Sequence, residues 1–103
     1  MSHPAETEKD FQNAVVETAK VFGWEGIYHT FDSQRSEWGF VDLILCRPPR
    51  LLVVELKSLR GVLTGEQADC LEMFMACGVE TWVFWPEDWD SGLIEKVLKR
   101  EEV

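Results

Sequence analysis

The sequence predicts one α/β domain of three layers, in which helices flank a mixed central sheet. The chain has 103 residues, which is enough for one domain and too few for two, so residues 1–103 are treated as a single domain. Hydrophobic residues make up 46% of the chain, with five Trp and six Phe, so it can bury a core. Helical and strand-like apolar patterns follow each other in the order α-β-β-β-α-β-α, which is typical of an α/β fold.

The first predicted element is a helix over residues 6–22. Apolar side chains recur there at helical spacing, and Gly23 follows as a typical helix terminator. A short strand is predicted near residues 27–31, and a polar loop follows at residues 32–37.

Two apolar, β-rich segments then predict a hairpin. Residues 40–46 and 51–57 are separated by the four turn-type residues 47–50. If those four residues form the loop, Cys46 lies opposite Leu51, and the numbers of every facing pair sum to 97.

The second half of the chain predicts a helix, a strand and a last helix. Thr64 opens the first of these helices with Gln67 in the capping-box position, and Gly78 ends it. A strand over residues 79–85 follows, and Asp90 is positioned to cap the last helix.

The net charge of −9 argues against a protein that coats nucleic acid without specificity. The charge is uneven, because residues 35–60 hold five basic and three acidic residues, a net of +2, which leaves −11 for the rest. One local surface can therefore meet a phosphate backbone, although ordinary charge variation accounts for the same numbers.

Composition also bears on compartment and cofactors. The start of the chain is acidic and polar, and no apolar run has the length of a membrane span, so we expect a cytoplasmic protein without a signal peptide. The three cysteines, Cys46, Cys70 and Cys77, include no CxxC pair. We therefore expect free thiols, and neither a disulfide scaffold nor a zinc site.

Three acidic residues lie in apolar surroundings. On a helical wheel Glu8 falls within about 20° of Val15 and Ala19, along the predicted buried stripe. A first-turn acid that complements the helix dipole is the simpler explanation for Glu8 alone. Asp42 and Glu55 are each embedded in an apolar strand, where an ionised carboxylate is costly unless it is paired or bound to a cation. Taken singly, each is explained as well by a salt bridge at a sheet end.

The predicted hairpin places two of these acids opposite each other. In its register Asp42 directly faces Glu55, about 5 Å away on the same face of the sheet. Two like charges at that distance in apolar surroundings indicate a divalent cation, and carboxylate oxygens suit Mg²⁺ or Mn²⁺. Lys57 follows on the same face, where an ordinary ion pair with either acid is the alternative. A slip of one residue would put the two acids on opposite faces.

These residues are part of a longer pattern. It consists of Gly39-Phe40-Val41-Asp42-Leu43, Glu55-Leu56-Lys57 and Gly61-x-Leu63-Thr64-x-Glu66-Gln67, preceded by Glu8-x-x-Phe11-Gln12. With this pattern the chain resembles the VRR-NUC domain of the PD-(D/E)XK nuclease superfamily over nearly its whole length. The resemblance implies a restriction-endonuclease-like fold. A chain with this domain alone is most similar to the small standalone members found in phages.

The resemblance implies a metal site built from acidic residues. Asp42 and Glu55 would bind the metal, with the carbonyl of Leu56 as a further ligand. Glu8 would ligate the metal directly or through water. The family usually has Pro before the aspartate, and this chain has Val41 there, a difference that removes no ligand.

The resemblance implies supporting roles as well. Lys57 would orient or activate the attacking water, and Gln67 would support the site from the second helix. A capping box between Gln67 and Thr64 competes with that role and is compatible with it. One histidine and four arginines are candidates for contacts to DNA. The alternative is that the histidine has a structural role and that the arginines are solvated loop residues. These candidates are His29, Arg35, Arg47, Arg50 and Arg60.

The function implied by the resemblance is that of a Mg²⁺- or Mn²⁺-dependent, structure-selective DNA endonuclease. Similar proteins include Holliday-junction resolvases that act as homodimers on branched DNA, in recombination and DNA repair. Hydrolysis by a metal-activated water would leave a 5′-phosphate. Two alternatives stay open: a catalytically silent nuclease fold that serves as a binding or regulatory module, and a nuclease that acts on linear DNA ends or RNA.

Overall fold

The computed structural model describes residues 7–30, 39–59 and 61–100, so the loop predicted at 32–37 lies outside the described residues. No helix in this described part of the chain is long and apolar enough to cross a membrane. The elements are α1 (Glu8–Val21), β1 (Gly26–His29), β2 (Leu43–Arg47), β3 (Arg50–Leu56), α2 (Gly65–Ala76), β4 (Glu80–Phe84), α3 (Pro86–Asp90) and α4 (Leu93–Lys99).

Helix α1 begins and ends close to the predicted positions. The hydroxyl of Thr7 caps it by accepting a 3.0 Å hydrogen bond from the backbone N–H of Asp10. At the other end Gly23 has a φ of 87°, a left-handed conformation that glycine adopts without strain.

The sheet is mixed, as predicted, with the strand order β1-β2-β3-β4. Strands β1, β2 and β3 pair antiparallel, whereas β4 pairs parallel to β3. Cys46 lies opposite Leu51, and Leu43 lies opposite Val54. The predicted hairpin register is therefore confirmed.

Helices cover both faces of the sheet, which confirms the three-layer architecture. One face is covered by α1 and α4, and the other by α2. Strand β3 serves both faces because its side chains alternate. The larger core cluster consists of Phe11, Val15, Ala19, Trp24, Leu43, Leu45, Leu52, Val54, Leu56, Phe84, Ile94, Val97 and Leu98. The smaller cluster, under α2, consists of Val41, Val53 and Leu71, with Ile44, Leu63, Cys70, Phe74, Val79 and Val83 packed against it.

The C-terminal segment forms two short helices where the sequence predicted one. Pro86 occupies the first turn of α3, which its fixed φ favours. The carboxylate of Asp88 accepts a 2.8 Å hydrogen bond from the backbone N–H of Trp85 and so closes that turn. Helix α4 begins only after Gly92, whose φ is 83°. The prediction that Asp90 caps the last helix is therefore wrong, because Asp90 is the last residue of α3.

Arg47, at the hairpin turn, holds the end of α4 in place. Its guanidinium donates to the carbonyl of Phe22 at 2.7 Å and to that of Leu98 at 3.1 Å, and also to the carbonyl of Arg100. It lies over the ring of Trp24, 4.8 Å from the centroid. Arg47 thus satisfies carbonyl groups that the last turn of a helix leaves without partners.

Arg50 makes similar contacts from a buried position, where it is 4% exposed. Its guanidinium donates to the carbonyl of Val97 at 2.9 Å and to that of Arg100 at 2.8 Å. It also pairs with the carboxylate of Glu80 at 2.8 Å and lies over Trp24. The expectation that Arg47 and Arg50 contact DNA phosphates is corrected here, because their guanidinium groups are bound to backbone carbonyls and an acid within the fold.

The pKa of Glu80 gives a test of its contacts with Arg50, Trp82 and Arg100. Burial alone would raise that pKa, but hydrogen bonds from Arg50 and Trp82 and the charges of Arg50 and Arg100 outweigh burial and lower it below 4.5. Such a group stabilises the fold above its unfolded pKa, and this stabilisation is lost as the pH falls through the lowered pKa.

We expect Glu80→Gln to lower the free energy of unfolding by roughly 2 kcal/mol at neutral pH, since it weakens charged hydrogen bonds to Arg50. The difference from wild type should shrink below about pH 4.5, as Glu80 itself becomes protonated. Urea unfolding at several pH values measures this. Glu87→Gln, at an exposed acid of α3, is the control, and a difference that is independent of pH would contradict the assignment.

Candidate active site

The candidate site lies at the end of the sheet where β2 begins and β3 ends. The backbone N–H of Asp42 donates to the carbonyl of Val54 at 3.2 Å, which extends the strand pairing by one residue beyond Leu43. The side chain of Asp42 reaches across to β3, where its Oδ2 accepts a 2.7 Å hydrogen bond from the backbone N–H of Leu56. Asp42 and Glu55 therefore lie on adjacent strands, in the opposed position that the register predicted.

Glu55 is a buried carboxylate with too few partners. It is 2% exposed, and its Oε1 has no hydrogen-bond donor among the described residues. Burial, the negative charge of Asp42 and a hydrogen bond to Asp42 raise its pKa to about 8, although Lys57 opposes the shift. Two carboxylates can share a hydrogen bond only when one of them carries a proton. When both are ionised, Oε1 of Glu55 lacks a partner.

Lys57 points its ammonium group into the same site. Nζ lies 3.5 Å from Oε2 of Glu55, and it donates to Oε1 of Gln67 at 2.8 Å and to the carbonyl of Val62 at 3.5 Å. The residue is 8% exposed. Because Glu55 and Lys57 are two positions apart on one strand, they share the face of the sheet that α2 covers.

Gln67 connects the site to α2. Its side-chain Oε1 accepts hydrogen bonds from the backbone N–H of Thr64 at 3.0 Å and from Lys57. The backbone N–H of Gln67 donates to the Thr64 hydroxyl at 3.1 Å. The predicted capping box is therefore confirmed. The same oxygen that completes the cap also accepts a hydrogen bond from the lysine, so the capping box occurs together with a contact from α2 into the candidate site.

Gly39 is part of the arrangement, and sequence reasoning assigned it no role. Its φ is 63°, and a Cβ there would lie 2.4 Å from the carbonyl carbon of Glu66 and 2.6 Å from the nitrogen of Gln67. The backbone before Asp42 thus packs directly on the first turn of α2. The positive φ is favoured by glycine, but the close approach is a tertiary feature that a single sequence does not reveal.

Glu8 lies apart from the two strand carboxylates. It is exposed, which corrects the expectation that it projects along the buried stripe, because residues 7–10 are all exposed to solvent in the part of the chain that the structure describes. It lines an open cleft of about 490 Å³ together with Gln12, His29 and Thr30. The N–H of Thr30 donates to the Asp42 carbonyl at 3.1 Å, so this cleft opens beside the site.

The remaining predicted site residues divide into two groups. His29 lines the cleft just described, at the end of β1, whereas Arg35 and Arg60 lie outside the described residues. Within residues 7–30, 39–59 and 61–100, no group of three or more His, Cys, Asp or Glu side chains is gathered closely enough to hold a metal ion. Ligation by Glu8 through water stays a prediction.

The chemistry of the donor set fits a hard divalent cation. Asp42 and Glu55 offer carboxylate oxygens, which Mg²⁺ and Mn²⁺ prefer. The partnerless Oε1 of Glu55 and the raised pKa of that group both indicate that positive charge is in short supply there. A divalent cation would supply that charge without a proton.

The raised pKa of Glu55 predicts an unusual pH dependence of stability. In EDTA, the free energy of unfolding should fall as the pH rises from about 4.5 to about 8, because the folded state retains a proton that the unfolded state releases. Glu55→Gln should remove this slope and be more stable than wild type near pH 8, since a neutral amide replaces the buried charge. Glu72→Gln, at an exposed position of α2, should keep the slope. Urea unfolding in EDTA tests this, and parallel curves for wild type and Glu55→Gln would contradict it.

Comparison with known proteins shows a fold likeness. No family model matches the sequence, and no curated protein matches it. The solved structure of a VRR_NUC domain protein superposes with a TM-score of 0.66, covering 90% of this chain and 88% of that chain at 24% sequence identity. The predicted resemblance is confirmed at the level of structure: this chain has the fold of that VRR_NUC domain protein.

Proposed function

We propose that this protein is a divalent-metal-dependent DNA endonuclease that hydrolyses phosphodiester bonds. The observation that carries the proposal is the buried pair of Asp42 and Glu55, which has a partnerless carboxylate oxygen beside the ammonium group of Lys57. A purely structural ion pair would saturate its acid with hydrogen-bond donors, as the fold does for Glu80. The likeness to a VRR_NUC domain protein supports a nuclease-type domain.

Asp42 and Glu55 would hold Mg²⁺ or Mn²⁺, with the carbonyl of Leu56 as a further ligand and Glu8 acting through water. When bound, such a cation polarises a phosphate oxygen and lowers the pKa of water. The hydrogen bond from the N–H of Leu56 fixes Asp42 against β3, so this carboxylate keeps its place without a metal. This preorganisation limits the reorganisation that substrate binding requires.

Lys57 orients the attacking water and offsets the negative charge that grows on the phosphate. The water oxygen gives up a proton to solvent and forms a bond to phosphorus, the bond between phosphorus and the 3′-oxygen breaks, and the 3′-oxygen takes up a proton from solvent. The products are a 3′-hydroxyl and a 5′-phosphate. Gln67 is a positioning residue, because it acts on the reaction through its hydrogen bond to Lys57.

The substrate in this proposal is branched DNA, with a four-way junction as the leading candidate, processed in recombination or repair. One small site meets one strand, so two copies of the chain, a homodimer, would present two sites to two strands of a junction. His29, Arg35 and Arg60 remain the proposed DNA contacts, since Arg47 and Arg50 are engaged in the fold.

We expect cleavage of labelled DNA in Mg²⁺ or Mn²⁺ and none in EDTA. Asp42→Asn should abolish it, and Lys57→Met should slow it by about a hundredfold or more, which is typical for loss of a group that moves or orients protons. Glu72→Gln, on the exposed side of α2, should stay within about twofold of wild type. Four-way junction, splayed-arm, linear duplex and single-stranded substrates, assayed in parallel, measure this.

The outcomes separate the alternatives. Symmetric nicking of the junction, together with a dimer in light scattering, would support a resolvase. Cleavage of the other substrates without cleavage of the junction would support nuclease activity and contradict the assignment as a resolvase. A folded wild type that cleaves none of the four, in either metal, would contradict the proposal and favour a binding or regulatory module.

A further inference from the structure

The loop that follows β3 exposes two large apolar side chains beside the candidate site. Leu59 is 70% exposed and Val62 is 77% exposed. Among the described residues, the only large hydrophobic side chain with greater exposure is Val21, at 78% on the far end of α1. Because most of the surface of these two side chains is exposed, a partner that covers them would gain the free energy of burying that apolar surface.

This loop is attached to the lysine of the site. The N–H of Gly61 donates to the carbonyl of Ser58 at 3.0 Å, which makes a tight turn with Leu59 inside it. A Cβ at Gly61 would lie 3.2 Å from Cδ of Lys57, so the turn packs against the stem of that side chain. The carbonyl of Val62 accepts from Nζ of Lys57 at 3.5 Å. The two apolar side chains therefore have a fixed place relative to Lys57.

The position of the loop determines what it meets. Leu59 is two residues from Lys57, which limits the distance between their Cα atoms to roughly 7 Å. A nucleic acid with a phosphate at Asp42, Glu55 and Lys57 must therefore pass within reach of the loop. The sugar-phosphate backbone of a duplex is charged and polar, so the apolar surface available there is the faces of the stacked bases.

We infer that Leu59 and Val62 form an apolar wedge that enters a base step next to the scissile phosphate and unstacks it. The inference rests on the proposed function and deepens it, because it names the substrate class: duplex DNA that is distorted, or can be opened, at the cut. Charge supports this occupant. With a net charge of −9, and with Arg47 and Arg50 engaged in the fold, the chain attracts phosphates weakly and gains from apolar contact with bases.

The test compares a double variant, Leu59→Ser with Val62→Ser, against Val21→Ser, which removes an equally exposed apolar side chain far from the site. Two four-way junctions are used. In one, the arm that is cut is a fully paired duplex with 2-aminopurine at the cut step (the paired duplex), and in the other that arm has a two-nucleotide bulge at the same step (the bulged duplex). Fluorescence is followed on binding in Ca²⁺, and cleavage is followed in Mg²⁺.

Wild type should raise the 2-aminopurine fluorescence of the paired duplex, and the double variant should not. The double variant should cleave the paired duplex about tenfold more slowly, because it lacks the side chains that unstack the base step. On the bulged duplex, where the step is already open, it should stay within about threefold of wild type. Val21→Ser should match wild type on both.

Three results would overturn the inference, and they are distinguishable. If the wild type neither binds nor cleaves DNA, both the proposed nuclease function and the wedge are contradicted. A wild type that cleaves while the double variant keeps the wild-type ratio between the two duplexes removes the wedge alone. A wild-type dimer that becomes a monomer in the double variant, with unchanged 2-aminopurine signals, assigns the surface to a second copy of the chain.

Discussion

The candidate site depends on the register of the β2–β3 hairpin, which places two carboxylates on adjacent strands at its open end. Two unit charges about 5 Å apart repel by about 3 kcal/mol at an effective dielectric constant of about 20. The fold holds them there nonetheless, because Asp42 is tied to the Leu56 N–H and Glu55 is fixed on a strand with buried neighbours. Burial, together with the negative charge of Asp42, raises the pKa of Glu55 to about 8 in this position.

At the two ends of the β2–β3 hairpin, the pKa of a buried or half-buried acid is shifted in opposite directions. At the turn, Glu80 receives hydrogen bonds from Arg50 and Trp82, and its pKa is lowered. At the open end, burial and the negative charge of Asp42 raise the pKa of Glu55, although Lys57 opposes the shift. The first acid is paired with donors within the fold, whereas the second is buried with an oxygen that has no donor among the described residues. This contrast is the reason why the proposed function is built on Glu55 and not on Glu80.

Local patterns were sufficient to predict the hairpin, its register and the capping box of α2, because each depends on residues close in sequence. They also placed Asp42 opposite Glu55 before any tertiary information. The partners of Arg50 could not be predicted, since the carbonyl groups that it binds lie about fifty residues further along the chain. The exposure of Glu8 was missed for a related reason: a helical wheel gives the direction of a side chain and says nothing of what covers it.

Binding of a divalent cation by Asp42 and Glu55 is tested by thermal unfolding of the whole chain at increasing Mn²⁺ concentration. Selective binding to the folded state stabilises it by mass action, by about 2.7 kcal/mol at a hundredfold excess over the Kd. We predict that the Tm of wild type and of the Glu72→Gln control rises with Mn²⁺, and that the Tm of Asp42→Asn does not. An equal rise in all three proteins, or no rise in wild type, would contradict the account.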